Sequence, residues 1–281
     1  MRYNLNQTTG KILKMMNMTH QLFNLNLKIT SQHRRIGTLL GVWILAMISV
    51  PIQTWVWGET ALPRAITIGL FTQFIAVAYI TNQAWGLQRT ALTFVAVAVM
   101  TWFAEFIGSS TGLPFGEYNY TDILQPQFGH VPLIIPIAWF MMLPPAWVVA
   151  QSITRFSGQK TIRQHLIFAS VSALALTAWD LFLDPQMVNW NFWIWDYPVG
   201  YFGIPWINYF GWFLTAFIVT MVVRPIQLPV VPLLVVYGVV WFLQSFGQFF
   251  FWNQQGPAIV GFVVMGFFLF IAIQRYREQI R

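Results

Sequence analysis

Long uncharged runs alternate with short polar or basic ones along the whole chain. Residues 36–57, 65–81, 90–104, 131–154, 166–179 and 197–223 contain no Asp, Glu, Lys or Arg. Residues 225–274 contain none either, but Asn253-Gln254-Gln255-Gly256-Pro257 interrupts that run with polar and turn-forming residues. A membrane-spanning helix needs about 20 mostly apolar residues. The pattern therefore predicts an all-α fold: a polytopic membrane helical bundle with helices near 36–57, 65–82, 90–108, 131–150, 166–183, 203–223, 229–250 and 257–274.

Composition agrees: 57% of the 281 residues are hydrophobic and only 8% are charged. A soluble domain carries about 25% charged residues. Charge placement then orients the bundle. With the N-terminus inside, Arg64 alone among the 15 Lys and Arg falls on the outer side. That is the bias of the positive-inside rule, and it predicts eight spans with both termini cytoplasmic in a multi-pass protein of the cell membrane. The net charge of +7 becomes an orientation signal aided by anionic lipid, and no nucleic acid partner is expected. The expected organisation is a basic, flexible cytoplasmic tail at 1–35, one transmembrane domain at 36–275, and a basic cytoplasmic tail at 276–281.

Two predicted outer loops stand apart from the short basic inner ones. Residues 109–130 and 184–202 are long, free of Lys and Arg, and rich in Gly, Trp and Tyr. Loops of that length in a compact bundle are usually functional. Each follows a helix that ends in acid: Glu105 before the first, Asp180 and Asp184 before the second. The chain re-enters the membrane at Ile135-Pro136-Ile137-Ala138-Trp139 in one case and Ile204-Pro205-Trp206-Ile207-Asn208 in the other. The two segments run in the same direction, as in a parallel repeat.

Acids at membrane depth are costly and usually face a bundle interior or a functional cavity. On a helix Asp180 and Asp184 share a face, about 6 Å apart. Two close carboxylates in a low dielectric resist ionising together, so one is expected to keep its proton. Glu105, near apolar walls, is expected to keep one too. A protonated acid in a dry pocket can protonate an olefin, and aromatic faces can stabilise the resulting cation. The plainer reading places the acids in the headgroup zone, solvated or ion-paired, and the aromatics in an interfacial belt. With Arg64 the sole outer cation, ion pairing is scarce, which favours chemistry.

Other chemistries fit less well. His20, His33, His130 and His165 are too scattered for a di-iron His-box enzyme. No Lys follows Lys160, which excludes a Schiff-base lysine on a late helix. No dinucleotide fingerprint follows a strand. Asp180 and Asp184 are only weakly like the diphosphate motif of membrane prenyltransferases, whose second acidic motif and basic partners are missing here. The absence of Cys removes disulfide and thiolate chemistry. No metal site and no cofactor are expected.

Several motifs run together: Glu105-Phe106-Ile107-Gly108, the stretch from Thr111 to Tyr120, Asp180-Leu181-Phe182-Leu183-Asp184-Pro185, Trp193-Ile194-Trp195, and the stretch from Tyr201 to Trp212. In this order the chain resembles the integral-membrane carotenoid biosynthesis family. That family includes carotenoid 1',2'-hydratases acting on γ-carotene and on bisanhydrobacterioruberin. The resemblance covers about 36–275 and is specific in the middle, 105–212.

It implies cofactor-free addition of water across the terminal double bond of a ψ-end group. Protonation at C2 would give a tertiary cation at C1 for water to capture. The expected catalytic residues are Glu105, Asp180 and Asp184. Glu117, Tyr118, Tyr120, Trp139, Trp195, Asn208 and Trp212 are expected to bind substrate or water, with Asn119 and Asp122 helping to keep the pocket wet. The expected partners are the carotenoid, water, membrane lipid and other membrane enzymes of the same pathway. A lycopene-type cyclase, in which an internal double bond traps the cation, is the first alternative. A carotenoid-binding or transport protein is the second, with Gln244 and Gln248 on one helix face either lining a path or bonding between helices.

Overall fold

A computed structural model describes residues 31–155 and 161–281. The tail expected at 1–35 lies outside them except for 31–35, which begin the first helix. Among the described residues, eight helices are long and apolar enough to cross a membrane. They are α1 (Ser31–Trp57), α2 (Leu62–Trp85, preceded by the 3-10 turn Glu59–Ala61), α3 (Leu87–Thr111), α4 (Ile134–Ile153), α5 (Ile162–Asn189), α6 (Trp206–Val223), α7 (Val230–Phe250) and α8 (Gln255–Gln279). Residues 276–279, expected in a tail, thus continue α8.

α4 is the central post of the bundle. Its side chains are buried without a break from Trp139 to Ser152, and it packs against α2, α3, α5, α7 and α8. Pro144 and Pro145 lie inside it; such residues are tolerated in membrane helices where neighbours enclose them. Polar side chains tie the helices to one another. Trp147 Nε1 donates to Thr220 Oγ1 at 2.9 Å, linking α4 to α6. Gln151 exchanges two 2.9 Å hydrogen bonds with the main chain of Leu228, fixing the connection into α7. Gln248 of α7 donates to the Phe182 carbonyl of α5 at 2.7 Å, the interhelical role, whereas Gln244 faces a large apolar pocket.

The two long loops join over the end of the bundle. Tyr118–Tyr120 (β1) pairs antiparallel with Trp193–Trp195 (β4), in the register Tyr118 to Trp195 and Tyr120 to Trp193. Within the first loop Gln127–Phe128 (β2) pairs with Val131–Pro132 (β3). Residues 131–133, predicted to open a helix, are therefore outside α4. Alternation along a strand sends successive side chains to opposite faces. It turns Tyr118, Trp193 and Trp195 inward and leaves Asn119 and Ile194 exposed.

Phe115 anchors the cap. A Cβ on Gly108 of α3 would lie 2.5 Å from its ring, and one on Gly211 of α6 2.6 Å from it. Only glycines admit the ring between those two helices.

α5 runs past the predicted end at 183, through Pro185, to Asn189. Proline normally ends or bends a helix because it has no N–H for the carbonyl four residues back. That carbonyl, on Leu181, accepts instead from the Tyr201 hydroxyl at 3.2 Å. Asp184 consequently sits within a helix rather than at the head of a loop.

Candidate active site

Glu105, near the C-terminal end of α3, is 4% exposed. Its Oε2 accepts from the Tyr118 hydroxyl at 2.6 Å and the Tyr120 hydroxyl at 2.8 Å, and its Oε1 from Trp139 Nε1 at 3.2 Å. β1 supplies the two tyrosines from one strand face, and the first turns of α4 supply the indole. Burial first, and the neighbouring Glu105 carboxyl second, hold both tyrosine hydroxyls well above the usual tyrosine range. Both therefore remain O–H donors.

Asp180 and Asp184 occupy successive turns of α5 and are fully or almost fully buried. Asn208, in the first turn of α6, bridges them. Its Nδ2 donates to Asp180 Oδ2 at 3.1 Å and also, closely, to Asp184 Oδ2. Trp193 Nε1 donates to Asp184 Oδ1 at 2.9 Å. Asp180 Oδ1 is buried without a partner. Among the described residues the ion pairs are Arg155–Glu278 and Arg275–Glu278, at the other end of α4, so no cation neutralises these acids directly. A buried charge of several kcal/mol desolvation cost is met here by neutral N–H and O–H groups alone.

A cavity of about 30 Å³ is lined from both acidic centres, by Glu105 and by Asp184. A cavity holds a water once about 10–15 Å³ is open to it, so this space admits water. Tyr118, Tyr120, Trp139, Trp195, Asn208 and Trp212 also line it. Trp139 stacks on Trp212 with ring centroids 4.2 Å apart, and Trp179 meets Trp212 edge-on. Eight of the ten residues expected from the sequence thus share one small space, and Asp180 touches it through Asn208 and Asp184.

Glu117 does not. It is exposed and lines a separate surface hollow with Thr111, Gly112 and Tyr197. Asp122 and Asn119 are exposed as well, and Asn119 Nδ2 bonds Asp196 Oδ1 at 3.0 Å. The wetness expected of these three is absent from the acid cavity, because strand alternation and loop direction turn them away. Asn208 and the tyrosine hydroxyls supply its polarity instead.

Two features were not anticipated. Trp193 belonged to an aromatic cluster in the sequence without a role; its spacing of two from Trp195 on a strand was the available signal. The second is an apolar pocket of about 530 Å³ beside the acid cavity, sharing Ile135, Ala138, Leu183 and Trp193 with it. Its walls come from α1, α2, α4, α5 and α7. From Trp43 to Trp55 along α1 it extends about 18 Å at about 1.5 Å per residue. An extended carbon chain advances about 1.2 Å per bond, from about 3.6 Å per three-bond residue, so the pocket takes about 15 bonds of such a chain. Its rim residues Ile48, Ile52, Trp55, Phe242 and Phe246 are exposed where lipid would lie.

Comparison with known proteins accords with this geometry. Over 130 residues the chain is 33% identical to a bisanhydrobacterioruberin hydratase from Haloarcula japonica, a match covering 46% of this chain and 42% of that relative. The match thus spans less than half the length of the curated relative. No solved structure matches the chain. The family model of carotenoid biosynthesis proteins matches residues 64–268, and the chain belongs to that family.

Proposed function

We propose that this protein is a carotenoid 1',2'-hydratase, and that water adds to the terminal double bond of a ψ-end group held at the junction of the two cavities. The observation that carries this reading is a space that admits water, lined by Glu105 and Asp184, beside an apolar pocket that takes one end of a polyene. One end of the carotenoid lies in the large pocket with its terminal double bond against Asp184. Asp180 and Asp184, a helical turn apart with no cation beside them, hold a proton between them. Asp184 delivers it to C2, the π electrons form the new C–H bond, and C1 becomes a tertiary cation flanked by Trp212 and Trp195.

Water in the small cavity attacks C1. Its surplus proton passes to Glu105, which is surrounded by three donors and no acceptor and so serves as the carboxylate base. The expectation that Glu105 stays protonated is replaced in this reading by that donor set. Proton return from Glu105 to the aspartate pair resets the site, and no electrons are exchanged. Cyclisation would need room to fold the end group against an internal double bond. A small cavity that admits water beside Glu105, Asp184, Asn208 and two tyrosine hydroxyls supports hydration instead.

In cells making lycopene or γ-carotene, expression is expected to yield a more polar tertiary alcohol whose oxygen comes from ¹⁸O-water. Label arriving from O₂, a new ring, or unchanged pigment would each overturn the reading. The basic asymmetry further supports cytoplasmic termini with both long loops on the other side. Reporters at Gln127 and after Arg281 are expected in opposite compartments, and the same compartment for both would sink that orientation.

A further inference from the structure

The hydratase reading leaves one reactant without a route. The 530 Å³ pocket is apolar and its rim faces lipid, so it is a poor conduit for water. On the capped end of the bundle lies a second hollow of about 310 Å³. Thr111, Leu113, Glu117, Tyr197 and Val199 on its wall are exposed, which opens it to the surface.

Gly116 also lines it. Gly116 has φ of +110°, and a Cβ there would lie 3.1 Å from the Trp195 ring and 3.3 Å from Ile207. Trp195 in turn lines the acid cavity. Trp195 is 4% exposed, and its Nε1 is buried with no hydrogen-bond partner. A buried indole N–H left unpaired is unfavourable, and a passing water would satisfy it.

We propose that the hollow around Glu117 and Val199 is the aqueous vestibule of the site, and that water reaches the space lined by Glu105 and Asp184 by passing Trp195. This rests on the hydratase reading for its purpose, but the route is a property of the chain itself. Lipid-soluble substrate and water then arrive from different sides, and Trp195 is the partition between vestibule and cation. The exposed Glu117, misplaced by sequence reasoning inside the acid cavity, lies at the mouth of the route. Its carboxylate and the Thr111 hydroxyl keep the hollow hydrated.

The chain has no cysteine, so single thiols can report on the route. Val199→Cys lies on the vestibule wall and outside the acid cavity, and the unmodified variant is expected to hydrate carotenoid at the wild-type rate. A bulky, charged methanethiosulfonate on that thiol is expected to slow hydration about tenfold or more, equivalent to about 1.4 kcal/mol in the barrier. A methyl-sized reagent should do less, and the same bulky label on Ile123→Cys, exposed elsewhere on this face, should do nothing. Full labelling of Val199→Cys with no loss of rate overturns the proposal.

A second measurement needs no turnover. Trp195→Cys is expected to react with a charged thiol reagent far faster than Trp179→Cys, which is buried in the wall of the apolar pocket. Prior bulky labelling of a thiol at Val199 should protect it. Equal reactivity at 195 and 179, or no protection, rejects the route. Absence of hydrated product from the wild type, with the accessibility pattern intact, would instead reject the hydratase reading.

Discussion

The segment around Glu105 and the segment around Asp180 and Asp184 are built alike and equipped differently. In each, a helix carries the acid, a strand crosses the bundle end, and the next helix begins near a proline. Trp139 stands three residues after Pro136 and Asn208 three after Pro205. Each donates an N–H to the acid of its own segment. Each strand also donates to its own acid: Tyr118 and Tyr120 to Glu105, and Trp193 to Asp184. β1 pairs with β4 antiparallel, as two equivalent strands meeting across an axis would.

The difference lies in the accounting of protons. Glu105 receives three donors on two oxygens. The aspartates share Asn208, receive one indole, and leave Asp180 Oδ1 empty. In the proposed mechanism these two alike segments therefore play opposite parts, one taking a proton and the other giving one, around the cavity both line.

The sharpest way to break this contrast is to neutralise each side in turn. Asp184→Asn keeps the volume but removes the transferable proton, and turnover is expected to fall by at least about 10² to 10⁴, the usual worth of a general acid. Pigment binding and thermal stability should stay near wild type. Glu105→Gln should also cost about 10² or more, but differently. Cation still forms, so alkene isomers from proton loss should appear beside residual alcohol. If both variants give the same residual product ratio, by chromatography of extracted pigment, the division of labour is wrong.

Removing the matched donors is the next test. Trp139→Phe takes one N–H from Glu105, and Asn208→Leu takes the bridge from the aspartates. A hydrogen bond to a charged group is worth about 1.5–3 kcal/mol, so Trp139→Phe should lose roughly ten- to a hundredfold in kcat and add alkene by-products. Asn208→Leu should slow the reaction without changing the product ratio. Trp212→Leu is expected to cost about 2 kcal/mol as a lost cation–π partner. One Trp212 face is already covered by Trp139, so its loss should also loosen the indole bonded to Glu105. A double-mutant cycle should then give less than additive losses for Trp139→Phe with Trp212→Leu. Full additivity would separate the two rings.

Much of this was legible before the fold was known, because the physics involved is local. Charge-free runs and basic flanks mark eight helices, and an acid in such a run has few cheap places to go. What was not legible depends on contacts distant in sequence. A three-residue strand has too short a period to announce itself, so β1 and β4 were hidden, and with them the inward turn of Trp193 and the outward turn of Asn119. Pro185 signals a helix end by its own chemistry; Tyr201, reaching Leu181 from the next loop, takes up the carbonyl that Pro185 leaves free. Glu117 looked like its neighbours Tyr118 and Tyr120 in composition, and only the pleat distinguishes them. The apolar pocket draws on five helices and has no signature in any one of them.

The smallest expected effect concerns the two tyrosines, which converge on the same oxygen of Glu105. Tyr118→Phe or Tyr120→Phe alone leaves the other hydroxyl in place, and each should cost about tenfold or less in kcat, near the lower end of about 1.5 kcal/mol for a charge-assisted bond. The double variant should lose more than the two single losses combined, since Glu105 Oε2 then has no donor among the hydroxyls. Their pH behaviour follows from the sign of their shifts. Both pKa values lie well above the usual tyrosine range through burial and the Glu105 carboxyl, so each loses its proton only as pH rises through that raised value. Donation to Glu105 is thus constant up to and beyond about pH 10, the ordinary tyrosine pKa. Any alkaline decline of wild-type activity below that point must survive in both single Phe variants. Its disappearance from Tyr118→Phe would show a tyrosine titrating within the working range and would make the first segment a proton donor rather than a base, erasing the contrast between the two halves.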